Sequence, residues 1–251
     1  MKKISPGPGE DETLDSFYHG RLLILQKKRG YRFSVDAPLL ADFIRTKSSD
    51  DILELGAGNG IISLLLSRKP FRRITAVEIQ PGLADLARRN IALNGLEKKI
   101  TVREQDLRLF HPRRKFDVVF ANPPYIQKKG GLLSSMVEKS IAKHEIRADI
   151  FDIMRVAGKV LRPEGRAYLV FPAKRKADFD QALEANDLKI RAVRYVHPRR
   201  GEAARWFLAE CGFRAGSREA VPPLYIYDED GEYTPEMKRI FAGDDRGPRP
   251  E

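Results

Sequence analysis

The chain has 251 residues, 42% of them hydrophobic, and carries 46 lysines and arginines against 35 acids, a net charge of +11. That apolar content suffices for one sizeable core with short appendages, and the excess charge makes a polyanion the expected partner. No run of about 18 apolar residues is present to span a bilayer, Met1-Lys-Lys-Ile lacks the apolar stretch of a secretory signal, and the single cysteine, Cys211, excludes an internal disulfide and a cysteine-based metal cluster. A soluble, cytoplasmic protein is expected.

Residues 1–13 mix Pro, Gly and acids without an apolar period, which predicts a disordered tail. Leu22-Leu-Ile-Leu25 and Tyr31-Arg-Phe33 flank a basic turn and predict a hairpin, and a helix follows over 36–45; residues 14–47 would cap a core domain of residues 48–241. That core opens with a strand, Asp51-Ile-Leu-Glu-Leu55, then Gly56-Ala-Gly-Asn-Gly60 and the helical run Ile61-Ile-Ser-Leu-Leu-Leu66. Further strands are predicted at Arg73–Glu78, Lys99–Glu104 and Phe116–Ala121, the last an apolar run that suits a buried parallel strand. Asn122-Pro-Pro-Tyr125 follows directly, then a Gly- and Ser-bearing loop over 128–142 of a length usually reserved for function. A helix over 150–161 before Pro163, a strand over 166–171, a helix over 174–185 and two strands over 189–196 and 203–210 complete a set of seven core strands, with Cys211 as apolar filling beside Phe213. The tail over 242–251 is expected to be mobile.

Two consecutive prolines remove two backbone N–H groups and fix φ, so Asn122–Tyr125 is a segment built to accept hydrogen bonds. The Asn122 side-chain oxygen and the Pro123 carbonyl would accept both hydrogens of a planar amine, freeing its lone pair from conjugation, while Tyr125 offers a ring on which a base stacks. A Pro-Pro turn closed by Asn is the alternative. Gly56, Gly58 and Gly60 let a ligand approach the backbone at a helix start. Ile61 stands where a dinucleotide fingerprint has its third glycine, which argues against a pyrophosphate ligand. Glu54 would repel phosphate and suits the ammonium of an amino-acid-like cofactor. Glu78 lies about 20 positions beyond the glycines, where a carboxylate grips ribose hydroxyls, and Asp106 is placed to accept from an adenine amine. Each also has a plain reading: a glycine turn, a surface acid at a strand end, a helix N-cap. His19, His111, His144 and His197 are scattered without metal-ligand spacing, so no metal is expected.

With Glu54-Leu-Gly-Ala-Gly-Asn-Gly60 and Asn122-Pro-Pro-Tyr125 the chain resembles the class I S-adenosylmethionine-dependent methyltransferases over about residues 51–211. Within that group it is most similar to the tRNA1(Val) adenine-N6-methyltransferase branch, through Gln26-Lys-Lys-Arg-Gly-Tyr-Arg-Phe-Ser-Val-Asp36, Ala142-Lys-His-Glu145 and Pro222-Pro-Leu-Tyr-Ile-Tyr-Asp228. The resemblance implies a Rossmann-like α/β fold with a seven-stranded, mostly parallel sheet of order 3-2-1-4-5-7-6, helices on both faces, and sites at the carboxyl ends of the central strands. It implies S-adenosylmethionine as cofactor, held by Glu54, Gly56, Ala57, Gly58, Gly60, Glu78, Ile79, Asp106, Leu107 and Asn122. Asp36 either faces the methionine end of that cofactor or caps the helix ahead of Ala37-Pro38. Asn122, Pro123, Pro124 and Tyr125 become the catalytic cradle.

The positive charge falls in clusters: Lys27-Lys28-Arg29, Arg113-Arg114-Lys115, Lys128-Lys129, Lys174-Arg175-Lys176 and Arg199-Arg200. Lys128, Lys129, Arg199 and Arg200 are the candidates for contact with an RNA substrate, against the plain reading of solvated faces. Together these features point to methylation of an adenine amine in RNA, in a tRNA anticodon loop. Methylation of a protein glutamine amide, guanine-N2 methylation of ribosomal RNA, and a non-catalytic RNA-binding protein are the alternatives.

Overall fold

The computed structural model describes residues 7–29, 32, 34–123, 148–215 and 219–243. Its centre is a nine-stranded sheet. β3 (Asp51–Leu55), β4 (Arg73–Glu78), β5 (Ile100–Glu104) and β6 (Phe116–Ala121) lie parallel in the order β5-β4-β3-β6. β7 (Leu161–Pro172), β9 (Trp206–Gly212) and β8 (Lys189–His197) continue it, β9 running antiparallel to both neighbours. The core strands therefore stand in the order 3-2-1-4-5-7-6. Two short strands, β10 (Glu219–Ala220) and β11 (Leu224–Tyr225), extend the outer edge along β8, an addition that the sequence pattern does not announce.

Every residue of β3 is buried, its two carboxylates Asp51 and Glu54 included, because at this central strand both faces of the sheet are covered. Ile52, Ile74, Val118 and Phe120 point to one apolar layer, shared with α1 (Asp36–Phe43), α2 (Ile61–Leu66) and α3 (Pro81–Leu93). Leu53, Val77, Val119 and Leu169 point to the other, shared with α4 (Ile150–Val160) and α5 (Lys176–Glu184). Alternation along each strand thus feeds two cores at once. In α4 the buried positions 150, 153, 154, 156, 157 and 160 form one helical stripe, and the Asp149 carboxylate caps it by accepting from the Asp152 N–H at 3.0 Å. α3 starts with Pro81, whose missing N–H costs nothing in a first turn.

The N-terminal hairpin differs from expectation. Leu22–Lys27 is a strand, β2, but it pairs with β1 (Glu12–Phe17), so ordered structure begins inside the segment expected to be disordered. Tyr31 and Phe33, the expected partners, lie outside the described residues, as do residues 1–6 and 244–251. The connection at Tyr18–Arg21 has three successive residues at positive φ: Tyr18 at 54°, His19 at 56° and Gly20 at 80°. Turn signals built on Gly, Asn and Asp do not anticipate Tyr-His there. Burial holds Tyr18 in place, with its ring against Phe17 and against Gly243, where any side chain would collide with it. Gly243 ends α6 (Pro235–Ala242), a helix that the sequence reading omits although Thr234 caps it and Pro235 opens it. Phe241 of α6 packs on Phe17, and Arg239 grips Asp42 of α1 with two bonds of 2.9 Å. The two ends of the described chain are therefore fastened to each other and to α1.

Candidate active site

Parallel strands in register bring their carboxyl ends to one edge. Leu55 pairs with Val77 on one side and Ala121 on the other, so Gly56 and Asn122 are the first residues past neighbouring strand ends. Glu78 ends β4 beside Glu104 of β5, which puts Asp106 at the same edge. The glycine turn is anchored there by two bonds to one acceptor, the Val77 carbonyl, from the Gly56 N–H at 2.9 Å and the Ala57 N–H at 3.0 Å. Gly56, Gly58 and Gly60 all have positive φ, and a side chain on Gly56 would meet nothing within 4 Å, which marks open space over the turn. At Gly60, by contrast, a side chain would press on Ala87 of α3.

Glu78 is buried and held by two backbone donors, Gly58 N–H at 2.8 Å on one carboxylate oxygen and Gln80 N–H at 2.9 Å on the other. Each oxygen keeps a further lone pair for a pair of hydroxyls. Ile79, next to it, is 39% exposed, an apolar surface at the rim where a flat ring would pack. Asp106 caps the turn Leu107–Leu109 through the Arg108 N–H and pairs with the Arg108 guanidinium at 2.6 Å, while Leu107 is buried. Open space at the glycines, an oriented carboxylate and an apolar rim form a donor and acceptor set that fits an adenosine bearing an amino-acid tail.

Two of the predicted acids sit differently. Glu54 is buried inside the sheet edge and accepts from the Ser63 hydroxyl of α2. Burial pushes its pKa up to about 8, the Ser63 bond opposes that, and the Glu78 charge adds to it. Asp36 is the first residue of α1 rather than its cap, and its carboxylate accepts from the Ser34 hydroxyl and from the Ala37 N–H at 3.0 Å.

A positioning element escapes the sequence reading. Asn90, fully buried on α3, donates to the carbonyls of Asn59 in the glycine turn and Leu25 in β2, both at 3.0 Å, and accepts from the Leu25 N–H at 2.7 Å. Asn94, one turn on, brackets Leu23 in the same way. The two amides replace a strand partner for β2 and tie the hairpin to the cofactor turn. The available signal was two Asn four apart at the end of a helix, the first on its buried face, where a polar group survives only if bonded.

Asn122 is half-buried and Pro123 buried at the end of β6. Pro124, Tyr125, Lys128 and Lys129 lie outside the described residues. Arg199 and Arg200 follow β8, whose carboxyl end shares this edge on the far side of β7 and β9. Their guanidiniums lie over Tyr227 at 5.6 Å and Tyr225 at 5.1 Å, and Arg205 lies over Trp206 at 4.5 Å. Among the described residues no group of three His, Cys, Asp or Glu side chains could hold a metal ion, and no helix is long and apolar enough to cross a membrane.

Residues 32–194 match the family described as methyltransferase small domain. Among curated proteins the chain is 28% identical over 218 residues to a tRNA1(Val) (adenine(37)-N6)-methyltransferase of Dyadobacter fermentans, covering 86% of this chain and 90% of that one. To the protein of the same name in Phocaeicola vulgatus it is 31% identical over 179 residues, 71% of this chain and 76% of the relative. Among solved structures, a predicted O-methyltransferase from Agrobacterium tumefaciens superposes with a TM-score of 0.64 at 23% identity, over 83% of this chain and 96% of its own. A geranyl diphosphate methyltransferase in complex with SAM does so at 0.52 and 15% identity, over 71% and 84%. These two likenesses speak to the fold alone.

Proposed function

The chain belongs to the methyltransferase small domain family, and from that premise we propose that it transfers the methyl group of S-adenosylmethionine to the exocyclic N6 of an adenine in tRNA, in the anticodon loop. The observation that carries this reading is the register of β3 and β6, which sets Asn122-Pro123 beside Gly56, about one strand spacing of 4.8 Å away. Acceptor cradle and cofactor turn are thereby neighbours.

Bound S-adenosylmethionine supplies an electrophilic methyl group. Gly56, Ala57, Gly58 and Gly60 take its amino-acid end, Glu78 the ribose hydroxyls, Ile79 and Leu107 the faces of the adenine, and Asp106 its amine. Glu54 and Asp36 line the ammonium side, Glu54 becoming charged when an ammonium arrives. Asn122 Oδ1 and the Pro123 carbonyl accept both hydrogens of the target amine, which turns the nitrogen lone pair out of conjugation and into line with the methyl group. Pro124 stiffens this cradle and Tyr125 stacks on the target base. Because an amine attacking a cationic centre neutralises it, no base with a strongly shifted pKa is needed; the surplus proton leaves to water afterwards.

An adenine inside a stacked loop does not reach such a cradle, so the base is turned out of the RNA. Lys128 and Lys129, just past the cradle, and Arg199 and Arg200, held on tyrosine rings, take the phosphates on either side of it. A tRNA substrate places the enzyme in the cytoplasm. Methyl incorporation from labelled cofactor into total RNA and total protein tests the reading: label in the small RNA fraction is expected, and label in protein would overturn it.

A further inference from the structure

Among the described residues, the face of the sheet opposite α3 is open at β4 and β5. A doubly wound sheet carries helices on both faces, yet between β5 and β6 the chain makes only the single turn Leu107–Leu109. The strands match this exposure. Thr75 and Thr101 pair on the open face, with Arg103 next along β5, while Ile74, Ile100 and Val102 fill the apolar layer on the other. Over them lies a groove of about 580 Å³, closed on its far side by the loop Arg113-Arg114-Lys115.

Its charge is one-sided. Among the described residues, Arg73, Arg103, Arg113, Arg114 and Lys115 line it against a single carboxylate, Asp51, which is already bonded to Arg72 and Arg73. The side chains of Arg103, Arg113, Arg114 and Lys115 are exposed and make no hydrogen bond or ion pair among the described residues, whereas Arg88, Arg89, Arg155, Arg162 and Arg166 all hold acids. Four uncompensated cations converging on a threonine-floored channel repel one another unless an anion is shared. The channel follows β5 from Gln105 at the carboxyl edge toward Asp51 at the amino edge, about 16 Å for five residues. A single phosphate does not fill that length; a phosphate chain does, and guanidinium forks match its oxygens in pairs.

We propose that this groove is a second RNA-contact surface, holding the sugar-phosphate backbone of a part of the substrate that lies outside the catalytic cradle. It rests on the tRNA reading given above. RNA thus runs from the cradle over the edge at Gln105 and down the open face, and the enzyme recognises more of its substrate than the loop that carries the target adenine.

The test compares the wild type with Arg113→Ser/Arg114→Ser/Lys115→Ser, and separately with Arg103→Gln on the strand, each first shown to melt within a few degrees of the wild type. Filter binding of an unmodified full-length tRNA transcript at several salt concentrations should show the triple variant about tenfold weaker at 0.1 M salt, its salt slope reduced by about 2–3. Arg103→Gln should reduce the slope by about 1. Cofactor affinity and the single-turnover rate at saturating RNA should stay within about twofold. Unchanged affinity and slope in both variants, with a wild type that methylates RNA, would overturn the groove and leave the proposed function standing. A wild type that neither binds nor methylates RNA would overturn both. Loss of binding to polyglutamate but not to the transcript would replace RNA by an acidic protein as the occupant.

Discussion

The two ends of the carboxyl edge are built on opposite plans. On the proposed cofactor side, over β3, β4 and β5, polar groups are buried and fixed by hydrogen bonds: Glu78 to Gly58 and Gln80, Glu54 to Ser63, Asn90 to the glycine turn. On the proposed acceptor side, in the connection from β8 to β9, Arg199, Arg200 and Arg205 are surface cations resting on rings of Tyr227, Tyr225 and Trp206. A small cofactor of constant shape rewards preorganised partners, whereas a polyanion is met by charges that shift with it. The contrast predicts that damage on the cofactor side appears in stability and cofactor affinity, and damage on the acceptor side in RNA affinity and its dependence on salt.

The largest effect should come from the most deeply buried acid. Glu54 ionises near 4.5 when unfolded and near 8 in the fold, so the folded state holds the proton more tightly. Stability therefore falls as pH rises from about 4.5 through 8 and levels off above, by on the order of 5 kcal/mol at the full shift. Glu54→Gln keeps an acceptor for Ser63 and should abolish that slope; thermal melts of the cofactor-free protein across this range check it, and matching profiles for both proteins would contradict it. Next is Asn122→Ala, which should cut single-turnover methyl transfer about a hundredfold or more while cofactor binding holds. Near-normal rates would remove the amine cradle. Glu78→Ala should weaken S-adenosylmethionine by about 1–3 kcal/mol in calorimetric titration without altering RNA affinity. The smallest change is expected on the acceptor side: Arg199→Ser/Arg200→Ser should raise the Kd for tRNA several-fold and reduce the salt slope by about 2, with cofactor affinity intact. A loss of cofactor affinity in that variant would dissolve the distinction between the two sides.

Much of the cofactor side was legible because its determinants are local. Strands leave β-branched and apolar positions, and positive φ leaves glycines, so β3 to β6, the Gly56–Gly60 turn and the strand-end acids Glu78 and Asp106 stand where the sequence puts them. What escaped depends on distant partners. β1 is polar and alternates weakly, and it is a strand because β2 lies beside it and because α3 presents Asn90 and Asn94 to the edge of β2. α6 is short, and its apolar face makes sense only against Phe17 and α1. Arg113, Arg114 and Lys115 stood out as a basic run, but among the described residues the groove they close is there because the turn before them is too short to cover β4 and β5. Ser63 gave no signal at all, since nothing in a helical Ile-Ile-Ser-Leu run says that a carboxyl group lies beneath it.

In the proposed reaction a target amine and the methyl donor meet between Asn122 and Gly56, and the amine belongs to an adenine. Mass spectrometry of nucleosides from a tRNA transcript treated with the enzyme and S-adenosylmethionine tests this most directly. N6-methyladenosine at one adenine of the anticodon loop is expected; methyl groups on guanine N2, or an unmodified transcript beside a methylated protein, would overturn the assignment.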